Sequence, residues 1–154
     1  MKLINYLLGA ALLVMGVACV NTEDEIKTYP ELETLEGTMW YSYDIKQNIY
    51  YDIYYNADKE GAMVGYDSSK RENEISRRAF TYKYTRATAE IDAIVDVWFE
   101  DGQRYGGALI PKGHLQINNQ DVFIIQLYEL SEDGTKILYD ENGQYKSTIM
   151  MWME

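Results

Sequence analysis

Residues 77–99 read RRAFTYKYTRATAEIDAIVDVWF, and the alternation in this stretch decides the fold class. In 77–86, Phe80, Tyr82 and Tyr84 alternate with Ala79, Thr81, Lys83 and Thr85, the period of two that sends successive side chains to opposite faces of a strand. In 88–99, Ala89, Ile91, Ala93, Val95, Val97 and Phe99 alternate with Glu90, Asp92, Ile94, Asp96 and Trp98. One face is core and the other largely acidic. A helical period would mix those acids into the apolar stripe, so the stretch predicts two antiparallel strands.

The same rhythm extends in both directions. Upstream, Trp40–Ile45 and Ile49–Tyr55 are aromatic and β-branched runs separated by Lys46-Gln47-Asn48, and Asn56–Gly61 is a turn leading to a short strand at Met63–Tyr66. Asp67–Ser76 is a polar loop. Downstream, Asp101-Gly102 marks a hairpin turn before a strand at Arg104–Ile110, in which Gly106-Gly107 predicts a bulge or a close backbone approach. Pro111-Lys112-Gly113 is expected to turn the chain. Strands are then expected at His114–Ile117, Val122–Leu130, Ile137–Tyr139 and Tyr145–Met153, with turns at Asn118-Asn119-Gln120, Asp133-Gly134 and Asn142-Gly143.

Eight to ten short strands with hairpin turns and no intervening helix predict an all-β antiparallel meander. Closing it into a barrel removes its edges, so a closed or partly open barrel over residues 35–154 is expected, with a β-sandwich as the alternative. The strand rhythm resembles the lipocalin-like, or calycin, barrels, which begin with a Gly-x-Trp motif entering the first strand. Gly37-Thr38-Met39-Trp40 is similar to that motif with one residue more between Gly and Trp, and no closing-strand arginine partner for the tryptophan stands out.

The amino terminus carries a different signal. Lys2, an apolar run from Leu7 to Val20, and the small residues Gly16-Val17-Ala18 form a signal peptide over residues 1–18. The run is too short for a stable bilayer-spanning helix, which needs about 20 residues. Cys19 is the chain's one cysteine and follows the expected cut directly. The arrangement resembles the lipobox of bacterial lipoproteins, which implies a lipid on Cys19, membrane attachment through it, and a place in the cell envelope, at the outer membrane on its periplasmic or surface-exposed face. Gly16 stands where lipoboxes usually carry a larger aliphatic residue, so ordinary cleavage ahead of Cys19 is the alternative. Residues 19–34 read as an acidic tether, similar to the surface-export signals of some Gram-negative lipoproteins.

Composition narrows the function. The 154 residues hold 14 Lys and Arg against 25 Asp and Glu, a net charge of −11, and loss of residues 1–18 removes Lys2 and no acid. Such a surface excludes nucleic acid as a natural partner, because phosphate binding needs cations. With one cysteine the domain holds no internal disulfide and stands by packing. His114 is the lone histidine, so no histidine metal site is expected, and no Asp-x-Asp-x-Asp-Gly calcium loop is present. The paired acids Glu100-Asp101 and Glu132-Asp133 each precede a turn glycine and read as solvated hairpin tips rather than a glycosidase pair. The sequence therefore predicts no catalytic residue, no cofactor and no enzyme activity.

Aromatic content points to binding. The chain has 15 tyrosines, three tryptophans and three phenylalanines. Trp40, Tyr41, Tyr43, Tyr50, Tyr51, Tyr54 and Tyr55 occupy adjacent as well as alternate positions, so rings must lie on both faces of that hairpin. The candidate ligand-binding residues are Trp40, Tyr50, Tyr54, Tyr82, Tyr84 and Tyr105, with Arg77 and Arg78 from the basic group Lys70, Arg71, Arg77, Arg78 as a receptor for an anionic group. The expected function is a non-catalytic binding module for a small apolar or glycan-like ligand, held in a barrel or on an aromatic face. The alternative is a structural, accessory or inhibitory subunit of an envelope complex. A hollow, tyrosine-lined barrel would favour the first, and a filled barrel with an exposed aromatic patch the second.

Overall fold

A computed structural model describes residues 32–88, 90–115 and 120–153. Cys19, the signal segment and most of the tether lie outside these residues. The described chain forms eight strands: β1 (Thr38–Asp44), β2 (Ile49–Tyr55), β3 (Glu60–Tyr66), β4 (Glu74–Thr85), β5 (Ile94–Phe99), β6 (Arg104–Leu115), β7 (Gln120–Leu130) and β8 (Thr148–Met153), with one short 3-10 turn at Ala57–Lys59. Each strand pairs antiparallel with the next, and β8 returns to β1 to close the barrel. This is the up-and-down, lipocalin-like architecture that the alternation demands.

Strand direction defines two ends. The turns at 45–48, 67–73 and 100–103 and the long connection 131–147 crowd one end, here the loop end. Leu32–Gly37, the turn at 56–59 and the connection from β4 to β5 lie at the other, where the described chain enters the barrel. Leu35 is fully buried there beside Trp40, and the Tyr84 hydroxyl donates to the Leu32 carbonyl at 2.7 Å. The segment entering β1 thus plugs the barrel bottom.

The lumen is filled by aromatic rings. Edge-to-face contacts run from Trp40 to Tyr55 (6.5 Å), from Tyr55 to Tyr82 (4.8 Å) and Phe80 (5.4 Å), from Phe80 to Phe99 (5.5 Å) and from Phe99 to Tyr105 (5.7 Å), the geometry the ring quadrupole favours. Aliphatic side chains of Ile53, Val95, Val97, Ile125, Leu127 and Met151 close the gaps. Gly61 faces inward where a Cβ would strike the Phe80 ring, so its missing side chain makes room for that ring.

Three local expectations are corrected, and a fourth is narrowed to one of its two readings. β5 starts at Ile94 rather than Thr88, because the Thr88 hydroxyl accepts the Glu90 and Ile91 amides, a local alternative to ladder pairing that leaves Ile91 exposed. Pro111-Lys112-Gly113 does not turn the chain. It lies inside β6, where the ladder to β7 shifts register between Ile110 and Gly113, the kind of irregularity that tolerates proline's missing N–H. Ile137–Tyr139 and Tyr145 form only isolated bridges, Leu130 with Ile137 and Tyr139 with Tyr145, and β8 begins at Thr148. At Gly106-Gly107 the ladder is regular, and the close approach is at Gly107, whose Cβ would collide with the Gln126 carbonyl.

Candidate functional site

The eight candidate residues fall into three places. Trp40, Tyr82 and Tyr105 are buried in the lumen, and Tyr84 lies half-buried against the core. Their polar atoms find partners within the protein: the Trp40 indole donates to the Thr38 hydroxyl (2.8 Å), Tyr82 to the Asn56 carbonyl (3.1 Å), and Tyr105 shares a hydrogen bond with Ser147 (3.0 Å). Elsewhere in the core lies an apolar void of about 10 Å³, lined by Ile53, Phe80, Val97, Leu127 and Met151 among others and by none of these candidates. That is room for one water at most, and an apolar void stays dry. Burial pushes the phenols of Tyr55 and Tyr82 above their ordinary range, keeping them neutral donors.

The mouth at the loop end is plugged. Arg78 lays its guanidinium 3.8 Å over the Phe99 ring and donates to Asp101 (2.7 Å) and Gln103 (2.6 Å). Across from it, the buried Glu129 accepts from Lys146 at 2.7 Å. The basic group expected to receive an anion is therefore dispersed. Arg77 is exposed and paired with Glu74 (2.7 Å), and Arg71 reaches over the outer wall to the buried Asp52 (2.5 Å), its guanidinium 4.8 Å from the Tyr41 ring. In each acid pair the aspartate caps a turn, Asp101 accepting the Gln103 amide and Asp133 the Thr135 amide. Burial opposes ionisation of Asp101, yet hydrogen bonds from Gln103 and Arg78 hold its carboxyl below the usual range. The Ser131 hydroxyl, with the Thr135 amide and hydroxyl, holds Asp133 at about 2. Among the described residues no group of three or more His, Cys, Asp or Glu side chains could hold a metal ion.

The remaining candidates, Tyr50 and Tyr54, face outward. Tyr43 and Tyr50 are register partners with rings 4.6 Å apart, and Tyr54 partners Met39 and points its hydroxyl at Asp52 (3.5 Å). Tyr43 and Met39 on β1 and Met150 on β8 are each more than a third exposed. With Tyr41 and Trp152, register partners across the β1–β8 seam, they make the outer face of β2–β1–β8 a wall of aromatic and thioether side chains. Burial lifts the Tyr54 phenol, Asp52 adding to the effect, and the Tyr43 phenol is raised by desolvation and by Tyr50.

A second aromatic group was not singled out in the sequence. In the 131–147 connection, Tyr145 contacts both Tyr128 (4.6 Å, interplanar 53°) and Tyr139 (5.3 Å, interplanar 29°). The signal was present as two tyrosines flanking an Asp140…Asn142-Gly143 turn. What alternation could not supply was the fold-back that brings this turn onto Tyr128 of β7.

Among the described residues no helix is long and apolar enough to cross a membrane. Comparison with protein-family models, curated proteins and solved structures finds no match.

Proposed function

We propose that this chain is a lipid-anchored envelope protein that acts without catalysis through the outside of a filled barrel, as an accessory subunit docking its β2–β1–β8 wall on a protein partner. The observation that carries this reading is the packed lumen. Small-molecule sites usually enclose about 300–1,000 Å³, and the void among the lumen side chains here is about 10 Å³. Exposed tyrosine and methionine rimmed by charge is the composition that protein interfaces favour, since such side chains give large contact area at low entropic cost. The anchor rests on Gly16-Val17-Ala18-Cys19 and its lipobox resemblance. The first described residues enter at the end opposite the loops, so a membrane-held tether leaves the wall and loop end accessible.

Photo-crosslinking in cells tests the reading. A crosslinking amino acid placed at Tyr43, Tyr50 or Met150 is expected to give one discrete adduct. The same group at Lys83, on the opposite outer face, is expected to give none, and Cys19→Ser is expected to release the protein from the membrane fraction and abolish the adduct. Equal labelling from both faces, or none from the wall, contradicts it.

A further inference from the structure

The loop-end tyrosine cluster has no part in the wall and is built as a site of its own. Its hairpin is fixed by backbone and side chain together. The Asp140 carboxylate accepts the amides of Asn142 (2.8 Å) and Gln144 (2.9 Å), and the Asp140 amide donates to the Gln144 carbonyl (2.8 Å). Gly143, at φ 75°, supplies the left-handed turn residue. The Leu138 amide donates to the Glu129 carbonyl (2.9 Å) and the Lys146 amide to the Leu138 carbonyl (2.9 Å), so the hairpin is zipped to the end of β7. At its base, Arg104 packs over the Trp98 ring at 4.8 Å and against Gly134, where a Cβ would strike the guanidinium. The rings at the tip are consequently held in place before any ligand arrives.

Tyr145 stacks on Tyr139 and meets Tyr128 at an inclined 53°, so the cluster offers ring surface chiefly at Tyr139, which is 55% exposed, and at Tyr145, at 39%. Around these rings the exposed side chains are polar: Asp140, Glu141, Asn142 and Gln144. A flat ring bordered by amides and carboxylates matches a pyranose, whose C–H face is apolar and whose rim is hydroxyl. Charge selects among sugars. In the 131–147 connection the four carboxylates of Glu132, Asp133, Asp140 and Glu141 outnumber Lys136 and Lys146, the latter already paired with Glu129, and with a chain charge of −11 they disfavour uronate, sulfate and phosphate, while carboxylates accept hydrogen bonds from neutral sugar hydroxyls.

We infer that the Tyr128–Tyr145–Tyr139 cluster is a binding site for a neutral glycan, stacked on the free face of Tyr139. Preorganised rings keep the entropic cost of stacking low. The site lies at the end away from the tether, where an extended polysaccharide can reach it, and it needs neither the lumen nor the β2–β1–β8 wall.

Affinity electrophoresis of the full mature chain, carrying Cys19→Ser to keep it free of lipid, tests this in native gels containing dextran, yeast mannan, laminarin or the anionic polygalacturonate. The expected result is retardation in at least one neutral gel and none in polygalacturonate. Tyr139→Ala and Tyr145→Ala should weaken the interaction about tenfold or more, whereas Tyr139→Trp and the wall variant Tyr50→Ala should keep it. Circular dichroism checks that each variant stays folded. No retardation in any neutral gel, undiminished retardation of Tyr139→Ala, or stronger retardation in polygalacturonate overturns the inference. None of these three results bears on the wall, which the crosslinking experiment judges separately.

Discussion

Gly107 and Gly106 are neighbours with different freedoms. A Cβ at Gly107 would run into the Gln126 carbonyl oxygen, and only movement of backbone could relieve it. A Cβ at Gly106 would meet the Leu130 Cδ1 at 2.8 Å, the far end of a side chain that can rotate away. Gly107→Ala is therefore expected to cost about 1–3 kcal/mol in a chemical denaturation experiment, and Gly106→Ala less than about 1 kcal/mol. Equal costs would show that β6 and β7 do not approach as closely as described. The pair of glycines was readable in the sequence as a close approach, but not which of the two carries it, because that depends on which residue faces the lumen. The same limit applies to the tyrosines. Adjacent rings at Tyr50, Tyr51, Tyr54 and Tyr55 had to divide between two faces, and only packing decides that Tyr55 is core while Tyr50 and Tyr54 look out.

At the level of elements, the barrel is not uniform around its girth. The β6–β7 ladder holds ten register pairs and β1–β2 seven, whereas the closing ladder between β1 and β8 holds only Tyr41 with Trp152. Beyond that pair the Ser42 hydroxyl donates to the Met150 carbonyl at 2.7 Å, a side chain standing where a backbone partner would. Hydrogen exchange should therefore be fastest at the seam. Ser42→Ala, which removes a bond worth about 1 kcal/mol, should speed exchange in peptides covering β1 and β8 and leave β6–β7 unchanged. Uniform exchange around the barrel would contradict the single-pair seam. Most of this architecture was legible where alternation is strict: Phe80, Tyr82, Val95, Val97 and Phe99 all face the core as their period requires. It was less legible where a local feature overrides the period, as at Thr88, at the β6 irregularity around Pro111, and in the 131–147 connection. There Asp133 and Asp140 gather backbone amides into turns and leave only isolated bridges.

Taken as a whole, the molecule has its rings inside and its opportunities outside. The aromatic chain from Trp40 to Tyr105, with Leu35 buried at one end and Arg78 over Phe99 at the other, packs the lumen around an apolar void of about 10 Å³. Close-packed cores resist insertion, because displaced side chains must leave their rotamers. The aromatic candidates read from sequence thus divide by role, with Trp40, Tyr82 and Tyr105 holding the barrel together and Tyr50 and Tyr54 left for contact. The most direct test is a methyl NMR titration of residues 19–154 with lauric acid, following the lumen methyls of Ile53, Val97, Leu127 and Met151. A filled barrel predicts that these signals stay in place throughout the titration. Saturable shifts at all four would mean that the lumen opens to a ligand, and would contradict a protein that works from its outer surface.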